Sequence, residues 1–509
     1  MKTSTRRDFL QQVGAGMLAA SIGPSLLRDL GMTPALAGQD PQRLTFGALE
    51  PLVALMQGTP AATLQTLLIE RYKKGELTPR QMIAASALAN ARTFGGDDYI
   101  GFHSMFALKP ALQMSAELPT ERELLPVLKA VWRNSNRIQE YGGGTKENLG
   151  PVEALALPEG KNAGEAVRDA VRNKDLKTAE GLLTGVCRKS AADGFNTVQT
   201  ALHDATEVHR VNMVHRAWGL LDIVGQENAH ALLRESLHYF VTFESQKHRD
   251  FFSGPRTVLP KLVDQYHLYD KPPGTKAADE AWIEKTSAAL FAATPADAAE
   301  IAAAALAEGM GPAAIHEAIG IGANQLVLRD NNKQAHGATV GVHACDAVNA
   351  WKHIGAVSDA RNAAAAVVIS AYNLAFDRDN PKQNKMREWE PYPRRDAREA
   401  VQTTDPEALL RELDDAIRQK DQARATAIVA RYGDSGAAAA PVFAIFRRYV
   451  LSENGSLHGE KFFGTVTEEF AAARPQYRWR QAVAMARFAA SAYGEPSPGY
   501  ADAVKQLGL

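Results

Sequence analysis

Apolar residues in this chain recur three and four positions apart in segment after segment, a spacing that suits one face of an α-helix and little else. Segments 61–72, 121–132, 198–221, 297–307 and 482–492 all carry it, with alanine filling many of the intervening positions. Period-two alternation of Val, Ile and Thr is nearly missing, and no Asn-Gly pair separates two such runs as a tight hairpin would need. Helix starts are written in the same place each time. Thr59-Pro60, Thr78-Pro79, Thr294-Pro295 and Thr404-Asp405-Pro406 set a capping side chain ahead of a proline that the first helical turn tolerates. The chain reads as all-α.

Short segments also repeat in order. ALMQGTP (54–60) resembles ALFAATP (289–295), LTPRQMI (77–83) resembles MGPAAIH (310–316), GFHSM (101–105) resembles GVHAC (341–345), and DAVRNKD (169–175) resembles DAIRQKD (415–421). The offset drifts in small steps, as loop insertions would produce. The expected architecture is two pseudo-repeated multi-helix halves packed around a central cleft: half A over 38–252, a connector over 253–284, and half B over 285–509. The connector assignment rests on Gly254-Pro255, Pro260 and Pro272-Pro273-Gly274, residues that break helices.

The first 37 residues read as an address. Arg6-Arg7 followed by Phe9-Leu10 looks like a twin-arginine export signal. A weakly apolar stretch, 13–27, comes next, and Ala35-Leu36-Ala37 offers a cleavage site. The implied partner is the twin-arginine export machinery, and the implied destination is the periplasm, with the signal cleaved after Ala37. No other apolar run approaches the ~20 residues of a membrane span, so the mature form is expected to carry no stable span. With 57 Lys+Arg against 58 Asp+Glu, no basic excess exists to meet phosphates, and nucleic acid is excluded as an expected partner. Two cysteines, Cys187 and Cys345, are too few for a disulfide framework.

Chemistry concentrates in the 13 histidines. One group contains His203, Glu207, His209 and His215; the other contains His336, His343, Asp346, Asn349 and His353. His203 and Glu207 stand four apart, a spacing that on a helix presents an imidazole beside a carboxylate. His209, six from His203, cannot share that face of a straight helix, which predicts a bend near Thr206 or separate partners. On a continuous helix His336 and His343 would share a face, and His343, Asp346 and Asn349 would make a polar stripe on an otherwise Ala/Val surface. A buried stripe of that kind needs partners; a metal ion or a polar substrate would supply them. The repeats pair His103 with His343, and Val208-His209 corresponds in the same order to Leu457-His458. The proposed ligand set is therefore His103, His203, Glu207, His209, His336, His343 and His458, with iron, copper or zinc as the cofactor. The same histidines read equally as hydrogen-bonded core residues, or as an acid–base centre without metal.

The run His203-x5-His209-x5-His215, followed by Ala217-Trp218-Gly219-Leu220-Leu221-Asp222-Ile223-Val224-Gly225, resembles questin-oxidase-like proteins, all-helical chains associated with oxygen-dependent ring cleavage. The resemblance implies a histidine-lined helical cavity able to support oxidative chemistry on a small molecule. Two functions follow as expectations: an exported metal-dependent oxidoreductase, or a non-catalytic periplasmic binding or scaffold protein.

Overall fold

A computed structural model describes residues 43–330, 339–379 and 386–509. The signal-like segment 1–37 and His336 lie outside the described residues. Among those described, every regular element is helical, and extended pairing is limited to two isolated bridges, Lys276 with Met310 and Glu453 with Pro496. No described helix is long and apolar enough to cross a membrane.

Local sequence explains most helix boundaries. Thr78 accepts a hydrogen bond from the Gln81 amide while Gln81 reaches back to Thr78, with Pro79 at the first helical position, so Pro79–Phe94 opens with a complete capping box. Thr294 caps Pro295–Ala307, and Asp405, rather than Thr404, caps Pro406–Arg418. Thr59 behaves otherwise: it closes the helix Glu50–Gly58, and Ala61–Lys73 begins after Pro60 without a side-chain cap. The proline-rich stretch also departs from expectation. Pro255 opens a helix, Pro255–Tyr266, and Pro260 is accommodated inside it. A first-turn proline has no amide to lose, so Gly254-Pro255 starts a helix here instead of breaking one.

The repeated segments DAVRNKD and DAIRQKD adopt the same turn. Lys174 and Lys420 both hold a left-handed φ, 61° and 58°. The next residue in each, Asp175 or Asp421, then caps the following helix by accepting from the amide three residues on.

The chain divides into two units. Unit 1 takes the residues up to Gly194 together with Arg216–Thr242 and Pro498–Leu509; unit 2 takes Phe195–His215 and Phe243–Ser497. The core of unit 1 is centred on Pro79–Phe94, whose residues are buried from Gln81 to Phe94. A polar seam crosses it: Asn90 donates to Gly101 O and Asn134 Oδ1, and Asn134 donates to Ser86.

The core of unit 2 is built on Pro312–Arg329, Val340–Val357 and Ala360–Arg378, around the fully buried Trp351. Gly341 is a close-approach glycine. A Cβ there would stand 2.6 Å from the backbone nitrogen of Val327, so only glycine lets these two helices meet at that point. Val340–Val357 thereby enters the core at a set depth, which places His343 one half-turn further on.

Candidate functional site

The two helices carrying the first histidine group do not form one rod. Ala191–Leu202 ends, and Val208–Val224 begins after a five-residue break. The break has a cause in Glu207. Its Oε2 accepts from the amides of His209 and Arg210, capping the second helix, while its Oε1 lies 2.5 Å from His209 Nδ1. The expected helical pairing of His203 with Glu207 therefore does not form, because the helix stops at Leu202 before the four-residue spacing closes. His203 instead lies against Trp351, with ring centroids 6.1 Å apart.

His343 sits in the first turns of Val340–Val357. Its Nε2 is 2.8 Å from Nε2 of His458, and the two ring centroids are 4.9 Å apart. His209 flanks His343 on another side, centroid to centroid 5.7 Å. His458 is delivered by a tight turn in which Ser456 and Leu457 both take left-handed φ values, 48° and 69°, a costly conformation for residues with a Cβ. That turn sets His458 Nδ1 2.5 Å from Ser456 O, immediately before the helix Gly459–Ala472. Glu207, His209, His343 and His458 thus stand in a row within unit 2.

The polar stripe beyond His343 is real, and protein side chains meet most of it, although Asn349 Oδ1 is buried without a hydrogen-bond partner. Asp346 forms a buried ion pair with Lys461 at 2.8 Å and accepts from the Thr465 hydroxyl at 2.8 Å. Asn349 and Lys352 both donate to Glu469 Oε1, each at 3.0 Å, and His353 lies 3.0 Å from Glu468. Pairings from His343–His458 to Asn349–Glu469 keep an offset of 115 to 120 residues, so Val340–Val357 and Gly459–Ala472 run side by side in the same direction.

Electrostatics keep the centre of the row uncharged. Burial, helped by the Lys461 ammonium and by His209, holds His343 well below the ordinary histidine range, so it is a neutral imidazole at pH 7. Asp377 is pushed well above the ordinary carboxylate range by burial and by the Glu207 charge, despite the Asn373 amide 2.7 Å away. Burial, with Asp346, Glu469 and Asp377 nearby, likewise raises the Cys345 thiol, which disfavours a thiolate ligand or nucleophile there.

Of the seven histidines and carboxylates expected to act together, Glu207, His209, His343 and His458 share this row, and His203 stands beside Trp351. His103 belongs to unit 1, where its Nδ1 lies 2.7 Å from Tyr99 O and its ring packs against Tyr99 and Phe102. Among the described residues, no group of three or more His, Cys, Asp or Glu is placed to hold a metal ion. Asp377, Lys461 and Glu469 were not anticipated. One signal for Lys461 is present in the sequence: His343-x2-Asp346 and His458-x2-Lys461 share a spacing, as a parallel helix pair requires. Neither a protein-family model, nor a curated protein, nor a solved structure matches the chain.

Proposed function

We propose that unit 2 carries the working centre of an exported enzyme, a histidine row that moves protons on a small-molecule substrate. The observation that carries this reading is the 2.5 Å contact between Glu207 Oε1 and His209 Nδ1, in line with the 2.8 Å His343–His458 pair. A carboxylate on one ring nitrogen selects the tautomer that leaves the other as an acceptor, which is what a general base needs. The neutral His343 and its partner His458 can then share one proton between their Nε2 atoms, which makes them a relay for the proton that His209 takes.

A second reading makes the same imidazoles ligands of iron, copper or zinc in an oxidoreductase, as the resemblance to questin-oxidase-like proteins implies. Two features favour it. His209 directs Nδ1 to Glu207 and His458 directs Nδ1 to Ser456 O, the outer-sphere pattern that metal-ligating histidines show. Neutral imidazoles also suit these metals. A bound metal would supply a Lewis acid or a redox couple. The matched turns at Lys174 and Lys420 support the further reading of the chain as a duplication.

The test is untagged protein recovered from the periplasm, where export predicts Gly38 as its first residue. On that protein, metal content and ¹⁵N-histidine NMR are measured together. The relay predicts metal-free protein with a strongly downfield His209 ring proton that disappears in Glu207→Gln. The metal reading predicts stoichiometric transition metal, lost in His343→Ala and kept in His103→Ala. Metal-free protein in which His343 titrates as an ordinary histidine and the His209 ring proton is not shifted downfield overturns both, and leaves a helical scaffold.

A further inference from the structure

A second site lies in unit 2, apart from the histidine row. A cavity of about 360 Å³, at the small end of the range that holds ligands, runs along one face of Pro312–Arg329. Ala313, Glu317, Gly320 and Asn324 line it at spacings of four, three and four, which keeps them on that single face.

The two ends of the groove differ in chemistry. At the start of the helix Gly311 provides no side-chain cap, so the positive end of the helix faces the groove, and the ammonium-bearing Lys276 lines the same end through its bridge to Met310. Two turns along, Glu469 uses Oε1 for Asn349 and Lys352, while Oε2 sits over Gly320, 3.3 Å from where a Cβ would stand. One turn further, Asn324 is fully buried; its amide nitrogen donates to Gln481 at 3.1 Å, and its Oδ1 accepts nothing. A buried amide oxygen without a donor is costly, and a ligand N–H would relieve it. Between these ends the wall carries Ala277, Ala278 and Ala314 together with an ion pair, Arg474 Nε to Glu317 Oε2 at 3.1 Å.

We propose that this groove binds a short peptide with free ends, its carboxylate at Lys276 and the open helix start, its ammonium at Glu469 and Asn324. From Ala313 to Gly320 is seven residues of helix, roughly 10 Å at 1.5 Å per residue. An extended chain of about three residues spans that distance.

The reading is independent of the histidine row, since the test reads binding and not turnover. Trialanine is titrated into the full chain by calorimetry, beside its C-terminal amide and its N-acetyl form. Trialanine is expected to bind, with each blocked form ~10-fold weaker, as loss of one charged hydrogen-bonding end implies. Lys276→Gln, an exposed substitution that leaves the core untouched, should weaken trialanine about 5-fold without changing the affinity of the amide. Asn324→Leu should abolish binding. Equal affinity for free and blocked peptides, no change in Lys276→Gln, or no heat with trialanine overturns the proposal, whether or not Asn324→Leu folds.

Discussion

Each unit buries histidines against polar partners, and the two arrive at opposite charge states. In unit 1, His238 lies between carboxylates: Nε2 is 2.8 Å from Glu180, which also takes Arg234, and Nδ1 is 3.4 Å from Asp97. Burial alone would pull its pKa down, yet the hydrogen bonds and charges of Asp97 and Glu180 outweigh that and push it up to about 9. In unit 2, His343 meets another ring instead of a carboxylate, with a lysine ammonium nearby, and is held neutral. Depth of burial is similar in kind; the atom at the far end of the hydrogen bond decides the charge. A charged, carboxylate-clamped histidine suits a structural tie. A neutral ring facing another imidazole retains the freedom to pass a proton or meet a ligand, which is why the proposed working centre falls in unit 2.

The strongest way to break this comparison is to remove the ion pair beside the neutral ring. Lys461→Met strands the Asp346 carboxylate in the core and should cost about 3–5 kcal/mol in denaturant unfolding. Lys461→Met with Asp346→Leu should recover most of it. A cost below about 1 kcal/mol for the single variant would mean that the pair is effectively solvated.

Next in size is the charge on His238. Its folded pKa is raised, so its contribution is fully present below the ordinary histidine value and fades as pH rises through about 9. His238→Gln should therefore destabilise by on the order of 2–3 kcal/mol at pH 6 and by little at pH 10. His343, with a depressed folded pKa, has the opposite sign: its contribution is present above the ordinary value and fades as acid protonates the ring. Melting curves of wild type and His238→Gln that stay equally separated from pH 6 to pH 10 would show that His238 is neutral. The smallest effect sharpens the role of burial. Arg395 and Glu399 form an i,i+4 pair whose side chains are 87% and 66% exposed. Arg395→Ala should shift stability by no more than about 0.5 kcal/mol, despite a good geometry.

Much of the fold was legible because helix signals are local. Thr78-Pro79, Thr294-Pro295 and Asp405-Pro406 announce starts that depend on a few consecutive residues, and the structure puts helices there. The same locality misled at Gly254-Pro255, where a first-turn proline was read as a breaker, and at His203–Glu207, where helical spacing was assumed across a helix end. The stripe from His343 to Asn349 was readable as a face in need of partners. Which partners it found was not, since Lys461 and Glu469 reach it only through the direction and register of a helix more than a hundred residues away. Asp377 was invisible for a related reason: nothing near it in sequence marks it as the neighbour of Glu207.

That register has a mechanical corollary. Because the side chains of Val340–Val357 and Gly459–Ala472 engage at nearly one fixed spacing, like teeth on two racks, a slip of a single turn would disengage the rings, the ion pair and the amide contacts together. The two helices can mesh fully or part, with little ground between, so any movement that opens the imidazole row would be all-or-none.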